Sequence, residues 1–86
     1  MDQAIKAYRE AAVEQLRNQL ILDNVDYVRK ILSTMTSVLP NNYDRENLEQ
    51  AGIVALVETA NSFEPERGIK FRTYCFPRIR GAMIYF

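Results

Sequence analysis

Hydrophobic residues recur at every third or fourth position along the first half of the chain, which is the spacing of one face of an α-helix. Two such stripes follow each other, Ile5, Tyr8, Ala12, Leu16 and Leu20, then Val25, Val28, Leu32, Met35 and Leu39. Between them lie Asp23, Asn24 and Asp26, whose side chains compete with the backbone for helical hydrogen bonds and favour helix starts. The pattern therefore predicts two helices with a break near Asp23–Asn24.

The second half of the chain predicts two further helices. Pro40 cannot continue the preceding helix, and Asp44 is a suitable N-cap for the third one. The apolar face of this third helix comprises Leu48, Gly52, Ala55, Leu56, Ala60 and Phe63. A glycine inside a helix costs about 1 kcal/mol relative to alanine, so Gly52 indicates the close approach of a neighbouring helix.

A turn-rich connector through Pro65 and Gly68 precedes the last helix, which is expected over roughly residues 73–86. Its inward-facing positions are Cys75, Ile79, Ala82 and Met83. Pro77 lacks a hydrogen-bond donor, so this helix is expected to begin only a few residues before it. The chain stops at Phe86 in mid-pattern with no C-cap, which indicates a fragment truncated at its C-terminus.

The predicted fold class is all-α, a compact bundle of about four helices in a single domain over residues 1–86. No sustained alternation of apolar and polar positions predicts a strand. The N-terminus lacks the apolar stretch of a signal peptide, and no apolar run approaches the ~20 residues of a membrane span. A lone cysteine fits a reducing compartment, so the chain is predicted to be cytoplasmic and not associated with a membrane.

Composition narrows the chemistry that the chain could perform. Histidine is absent and cysteine occurs once, which excludes a histidine base, a histidine metal ligand, a disulfide and a cysteine-based zinc site. We therefore expect no cofactor, no metal and no enzymatic activity.

A formal net charge of zero, from 11 basic and 11 acidic residues, hides a gradient along the chain. Residues 1–62 carry a net charge of −3 and residues 63–86 carry +3, with no acidic residue after Glu66. The same last stretch contains six of the nine aromatic residues. Aromatic rings stack on bases and cations neutralise phosphates, so this end suits single-stranded nucleic acid. Chance imbalance in a small domain explains the counts equally well.

Two adjacent stretches carry a series of motifs, NLEQAGIVALVETANSF at residues 47–63 and EPERGIKFRTY at residues 64–74. LILDNVDYV precedes them at residues 20–28, and RIRGAM follows at residues 78–83. Together they resemble region 2 of bacterial RNA polymerase sigma factors of the sigma-70 family. The ending is more similar to flagellar and sporulation-type members than to housekeeping ones. The resemblance covers about residues 17–86.

This resemblance implies a helical domain that binds the clamp helices of the RNA polymerase β′ subunit. It also implies capture of the non-template strand of promoter DNA as the minus-ten element melts. Positions similar to the family's clamp contacts are Asn47, Gln50, Ile53 and Val57. Positions similar to the pocket for the flipped minus-ten adenine are Phe63, Glu64, Arg67, Thr73 and Tyr74. Positions similar to those that line the path of the single strand are Lys70, Phe71 and Arg80. The interleaving of cations and rings adds Arg72 and Arg78 to the predicted DNA-binding residues.

The sequence departs from the family pattern at three places. Asn47 stands where the family usually has aspartate, which removes a charge from the clamp contact. Pro77 and Arg78 stand where housekeeping members have adjacent tryptophans that wedge the duplex open, so melting would depend on fewer rings. The segment that reads duplex promoter sequence in the family is missing or replaced, so this chain alone is not expected to select promoters.

Two classes of function remain open. The first is a sigma-factor region 2 with polymerase core and promoter DNA as partners, and an anti-sigma factor as a further partner. The second is a helical protein-interaction module, a sigma-like remnant or decoy that binds polymerase or an anti-sigma factor without a DNA role. Phe71 and Tyr74 also suit a hydrophobic core, and Cys75 suits a core better than a reactive thiol.

Overall fold

The computed structural model describes residues 2–85, which form three α-helices and one short 3₁₀-helix. Helix α1 is Asp2–Ser33, α2 is Arg45–Ser62 and α3 is Phe71–Ile84, with the 3₁₀-helix Pro65–Arg67 between α2 and α3. The predicted all-α class is confirmed. The predicted number of about four helices is wrong, because the first hydrophobic stripe and the second as far as Leu32 lie on one continuous helix, with Met35 and Leu39 in the turns after it.

The residues that were expected to interrupt α1 are accommodated by side-chain hydrogen bonds within the helix. Asn24 is buried, and its Nδ2 donates to the carbonyl oxygen of Leu20 at 2.7 Å. Asp23 accepts a hydrogen bond of 2.7 Å from Nε2 of Gln19. Both bonds join residues four positions apart, so these polar side chains support the helical conformation instead of capping a new helix.

The loop between α1 and α2 ends at Asp44, the residue that the sequence predicts as the N-cap of the next helix. Residues 34–38 form turns, and Met35 within them remains buried. Asp44 is the N-cap of α2, and its side chain accepts a hydrogen bond of 3.2 Å from the backbone nitrogen of Asn47. The predicted cap is therefore confirmed.

The three helices share one hydrophobic core around the middle of α2. Its buried members are Val28, Ile31, Leu32, Met35, Leu48, Ala55, Leu56, Ala60, Phe71, Cys75, Ile79 and Met83. Gly52 lies where the helices are closest. A Cβ atom there would be 2.6 Å from Cγ1 of Val28 and 3.0 Å from Sδ of Met83. The predicted close approach at Gly52 is confirmed, and both neighbouring helices contribute to it.

The molecule is elongated, so the expectation of a compact bundle is wrong. Its radius of gyration is 15.5 Å and its extents are 59 × 24 × 19 Å, whereas about 12 Å is usual for a domain of this length. Helix α1 has 32 residues, and α2 and α3, with 18 and 14, are too short to cover it. Residues 2–19, called the N-terminal arm here, therefore leave their apolar stripe in solvent, with Tyr8 77% exposed.

Helix α3 begins two residues earlier than predicted. Its first residue is Phe71, so Pro77 lies inside the helix and cannot donate the backbone hydrogen bond that a helical residue there would make. Cys75, Ile79 and Met83 are buried as predicted, and burial raises the pKa of the Cys75 thiol above its ordinary value. The predicted helical position of Phe86 falls outside the described residues. Across residues 2–85, no helix combines the length and apolar character needed to span a bilayer.

Candidate nucleic-acid interface

Three aromatic side chains pack in a row where the connector from α2 crosses the start of α3. Phe71 is 8% exposed and belongs to the core. The ring of Phe63 meets it edge to face, with centroids 5.1 Å apart, and the ring of Tyr74 lies 5.5 Å from that of Phe63. Phe63 and Tyr74 are half-buried. Phe71, which the sequence placed on the strand path, therefore supports Phe63 from beneath and presents little surface of its own.

A cavity of about 270 Å³ opens beside Tyr74. Its lining residues are Ser62, Phe63, Glu64, Arg67, Ile69 and Tyr74. The volume exceeds the ~150 Å³ that suffices for a six-membered aromatic ring. Four of the five residues predicted for the adenine pocket thus meet in one place, and Thr73, exposed on α3, is not among the lining residues.

Ser62 and Ile69 line this cavity without having been predicted. The hydroxyl groups of Ser62 and Tyr74 share a hydrogen bond of 2.9 Å, which fixes the outer end of the tyrosine ring. The two residues are twelve positions apart, on different helices, so no local pattern in the sequence indicates the contact.

A tight turn holds the charged wall of the cavity in place. Gly68 has φ of 77°, in the left-handed region that glycine adopts without strain, and its N–H donates to the carbonyl oxygen of Pro65 at 3.1 Å. The turn follows the 3₁₀-helix that carries Arg67. Nε of Arg67 donates to a carboxylate oxygen of Glu64, forming an exposed ion pair at the cavity.

Arg72 is bound to α1 across the helix interface. Its Nε donates to Oδ1 of Asn24 at 2.9 Å, and its Cζ lies 4.4 Å from the centroid of the Tyr27 ring. The contact with the buried Asn24 uses one of the five N–H groups of the guanidinium. Asn24 thus forms hydrogen bonds within α1 and with α3. The sequence does not indicate the second bond, because Asn24 and Arg72 are 48 positions apart.

The other predicted basic residues lie along α3 and its start. Lys70 is exposed directly before the helix, and Arg80 is half-buried within it. Arg78 is exposed and lies over Tyr74, with its Cζ 4.0 Å from the ring centroid. Its Nη1 also donates to the carbonyl oxygen of Tyr74 at 2.8 Å. Arg78 therefore lies on a ring that lines the cavity, whereas Arg72 lies on Tyr27 of α1.

Three of the four implied clamp-contact residues, Asn47, Gln50 and Val57, lie on the side of α2 that faces away from the core. Asn47 and Gln50 are exposed, and Val57 is half-buried. Val54, 56% exposed, lies between Gln50 and Val57 on this face and was not predicted, although its spacing from both would have indicated it. Ile53 instead packs against the core.

Two polar contacts involve the first turns of α2. Nδ2 of Asn47 donates to Oδ2 of Asp44 at 2.9 Å, so a carboxylate lies directly beside the residue that departs from the family pattern. Nε of Arg29 donates to Oε1 of Glu49 at 2.7 Å, joining α1 to α2. That hydrogen bond and the charge of Glu49 raise the pKa of Arg29 above its ordinary value.

Within residues 2–85, no group of three or more His, Cys, Asp or Glu side chains is arranged to hold a metal ion. Fold and surface together define an all-helical domain that has an aromatic cavity with an adjacent arginine and an outward helix face with polar and apolar side chains. The chain belongs to the sigma-70 region 2 family, whose family model, Sigma-70 region 2, matches residues 20–86. Sigma factors are not catalysts, so the chain is not an enzyme.

Curated relatives agree with this family. The chain is 34% identical over 80 residues to RNA polymerase sigma factor FliA from Pseudomonas aeruginosa, an alignment that covers 93% of the chain and 32% of the relative. It is 32% identical over 68 residues to RNA polymerase sigma-F factor from Kitasatospora aureofaciens, covering 79% of the chain and 22% of the relative. The chain thus spans about a third or less of the length of these relatives. No solved structure matches the chain significantly.

Proposed function

We propose that this chain acts in transcription initiation as the part of a sigma factor that binds the β′ clamp helices of RNA polymerase and captures the melted non-template strand of the minus-ten element. The observation that carries the proposal is the cavity beside Tyr74, lined by rings and flanked by a basic helix. The cytoplasm, where polymerase acts, is the proposed location.

Capture of a base depends on the exchange of one stacked environment for another. Extruding a base from a duplex costs a few kcal/mol, and stacking on an aromatic side chain returns about 1–3 kcal/mol. The cavity offers the rings of Phe63 and Tyr74 for stacking. Glu64 and Arg67 supply an acceptor and donors for the edge of the base.

The basic residues contribute affinity for the phosphates on either side of the captured base. Lys70, Arg72, Arg78 and Arg80 lie on or directly before α3, and no acidic residue follows Glu66. Each phosphate neutralised releases counterions, so the binding of DNA should weaken as salt increases. The prior attachment of Arg72 to Asn24 reduces the entropy that this side chain loses on binding.

The outer face of α2 is suited to a second helical partner. Gln50, Val54 and Val57 form a short ridge of polar and apolar side chains that the core does not use. In the family this helix contacts the clamp, and we assign the same partner here. An anti-sigma factor would compete for this face or for the basic one.

We predict that Tyr74→Ala weakens the binding of single-stranded minus-ten DNA by about 5- to 100-fold, because the principal stacking ring is lost. Fluorescence anisotropy measures this with oligonucleotides of the non-template and template strands from a promoter of the FliA relative. Wild-type chain should prefer the non-template strand and should bind less tightly as salt increases. Tyr74→Phe, which keeps the ring, should retain most of the affinity.

Tyr8→Ala on the N-terminal arm is the matched control and should bind as wild type, since it removes an exposed tyrosine far along α1. If wild-type binding ignores both strand sequence and Tyr74, DNA capture is refuted. The interaction-only alternative, binding to polymerase or an anti-sigma factor without DNA, then stands.

We also predict that the chain is retained by immobilised β′ clamp helices and that Gln50→Ala weakens this retention by about fivefold or more. Gln50 is exposed on the proposed contact face, so its replacement removes polar contacts without disturbing the core. Gln15→Ala on the N-terminal arm is the control and should be retained like wild type. Absence of a complex with wild-type chain would contradict the polymerase role.

A further inference from the structure

Arg78 differs from Arg67 and Arg72 in the contacts that hold its side chain. Arg67 forms an ion pair with Glu64, and Arg72 is bound to Asn24. Arg78 lies over the ring of Tyr74 and donates to the carbonyl oxygen of the same residue. Among residues 2–85 no carboxylate forms an ion pair with it. Its position is therefore fixed by a ring and a backbone atom, and its charge is free for a ligand.

The aromatic row continues through Tyr74 to this guanidinium. Phe71 in the core supports Phe63, Phe63 supports Tyr74, and Tyr74 supports Arg78. The hydrogen bond between the hydroxyl groups of Tyr74 and Ser62 holds the tyrosine ring in this position. A planar cation is thus held at the solvent end of a row of rings, and guanidinium planes stack on nucleobases as aromatic rings do.

The two members of the stacked pair Tyr74 and Arg78 line different depressions of the surface. Tyr74 lines the cavity described above. Arg78 lines an open groove of about 460 Å³ between α2 and α3, together with Ala55, Glu58, Thr59, Ser62, Pro77, Gly81 and Ala82. Most of these side chains are small, and a Cβ atom added to Gly81 would meet no atom within 4 Å. The groove has room for a second flat group next to Arg78.

We propose that Arg78 is a stacking platform for a nucleobase: its guanidinium, backed by Tyr74, binds the base next to the one held in the Tyr74 cavity. The pair Tyr74–Arg78 then stands between two consecutive bases and keeps them apart. This inference rests on the proposed function and adds a base contact at a residue otherwise expected to neutralise a phosphate.

Arg78→Lys separates stacking from charge, because lysine keeps the positive charge and loses the planar group. The probe is a labelled strand of about twelve thymidines, within the range of known site sizes, with one adenine near its middle. Further probes have an abasic site at the adenine or at either neighbouring thymidine. Anisotropy titrations at two salt concentrations give the affinities of wild type, Tyr74→Ala and Arg78→Lys.

We expect Arg78→Lys to bind the intact strand about fivefold less tightly, at the lower end of the range for stacking. The salt dependence should not change, since the charge is kept. The difference in affinity between wild type and Arg78→Lys should disappear on the probe in which one particular neighbour of the adenine is abasic. The affinity of Tyr74→Ala should instead be the same whether or not the adenine is abasic. Arg9→Lys on the N-terminal arm is the control, and equal melting temperatures confirm that the exposed Arg78 is not needed for folding.

Two results would overturn the platform while leaving DNA capture intact. Arg78→Lys could bind every probe as wild type does, which would make Arg78 a phosphate contact. The affinity lost by Arg78→Lys could instead disappear only on the probe that is abasic at the adenine, which would make Arg78 a support for Tyr74. If wild-type chain ignores the adenine and Tyr74→Ala has no effect, the proposed function fails and the platform fails with it.

Discussion

Replacing Leu32 by alanine is expected to lower the free energy of unfolding by about 2–5 kcal/mol, the range for a large core side chain cut back to alanine. Leu32 is fully buried, on α1, among core residues from all three helices. Its removal leaves a cavity that the surrounding helices can fill only in part by shifting toward each other. For a domain of this length the melting temperature should decrease by about 10 °C or more.

Leu16→Ala is the matched control on the same helix. Leu16 occupies an equivalent position in the first hydrophobic stripe, but it lies on the N-terminal arm and is 46% exposed. Substitutions at such surface sites usually change stability by within about 0.5 kcal/mol. Thermal unfolding followed by circular dichroism compares the two variants directly. Equal losses would show that the arm is packed in solution, contrary to the structure.

Gly52→Ala is expected to destabilise the protein by up to about 2 kcal/mol although alanine is the better helix former. The added methyl group would lie 2.6 Å from Cγ1 of Val28, which is fully buried and branched at Cβ, and 3.0 Å from Sδ of Met83. Overpacking costs about 1–3 kcal/mol, and the gain in helix propensity offsets about 1 kcal/mol of it. Steric repulsion is therefore the larger effect.

Gly81→Ala is expected to have the opposite effect on stability. Gly81 also lies inside a helix, but no atom comes within 4 Å of an added Cβ. No steric repulsion then offsets the gain in helix propensity, and the free energy of unfolding should increase by about 0.5–1 kcal/mol. Urea unfolding of both variants measures the difference. A stabilising effect at Gly52 would mean that α1 and α3 are further from α2 than described.

Much of the fold was predictable because it depends on local pattern. The cap at Asp44, the glycine contact at Gly52 and the inward positions of α3 all follow from residue type and helical spacing. The break at Asp23–Asn24 was wrong because the side chain of Asn24 found partners within its own helix and on α3. Whether a polar residue caps, bends or joins helices depends on neighbours that a single sequence does not show.

Some residues of the candidate site were also predictable from local pattern, and others were not. Phe63, Glu64, Arg67 and Tyr74 were predicted from a series of motifs and do line one cavity. Their neighbours Ser62 and Ile69 were missed, since helix crossing and the turn at Gly68 bring them there. Spacing alone could not distinguish Phe71 from Tyr74, because both are aromatic residues in one helical turn and only depth in the fold separates them.

The N-terminal arm owes its helical state to the packed half of α1. Beginning a helix is the unfavourable step, with a nucleation constant on the order of 10⁻³, whereas adding a residue to an existing helix costs little. The turns around Val28 and Leu32 are held by the core and supply the nucleus, so the arm forms by propagation alone. Loosening the core would remove this nucleus and unwind the arm. Unwinding the arm would leave the core contacts in place, because none of residues 2–19 is buried.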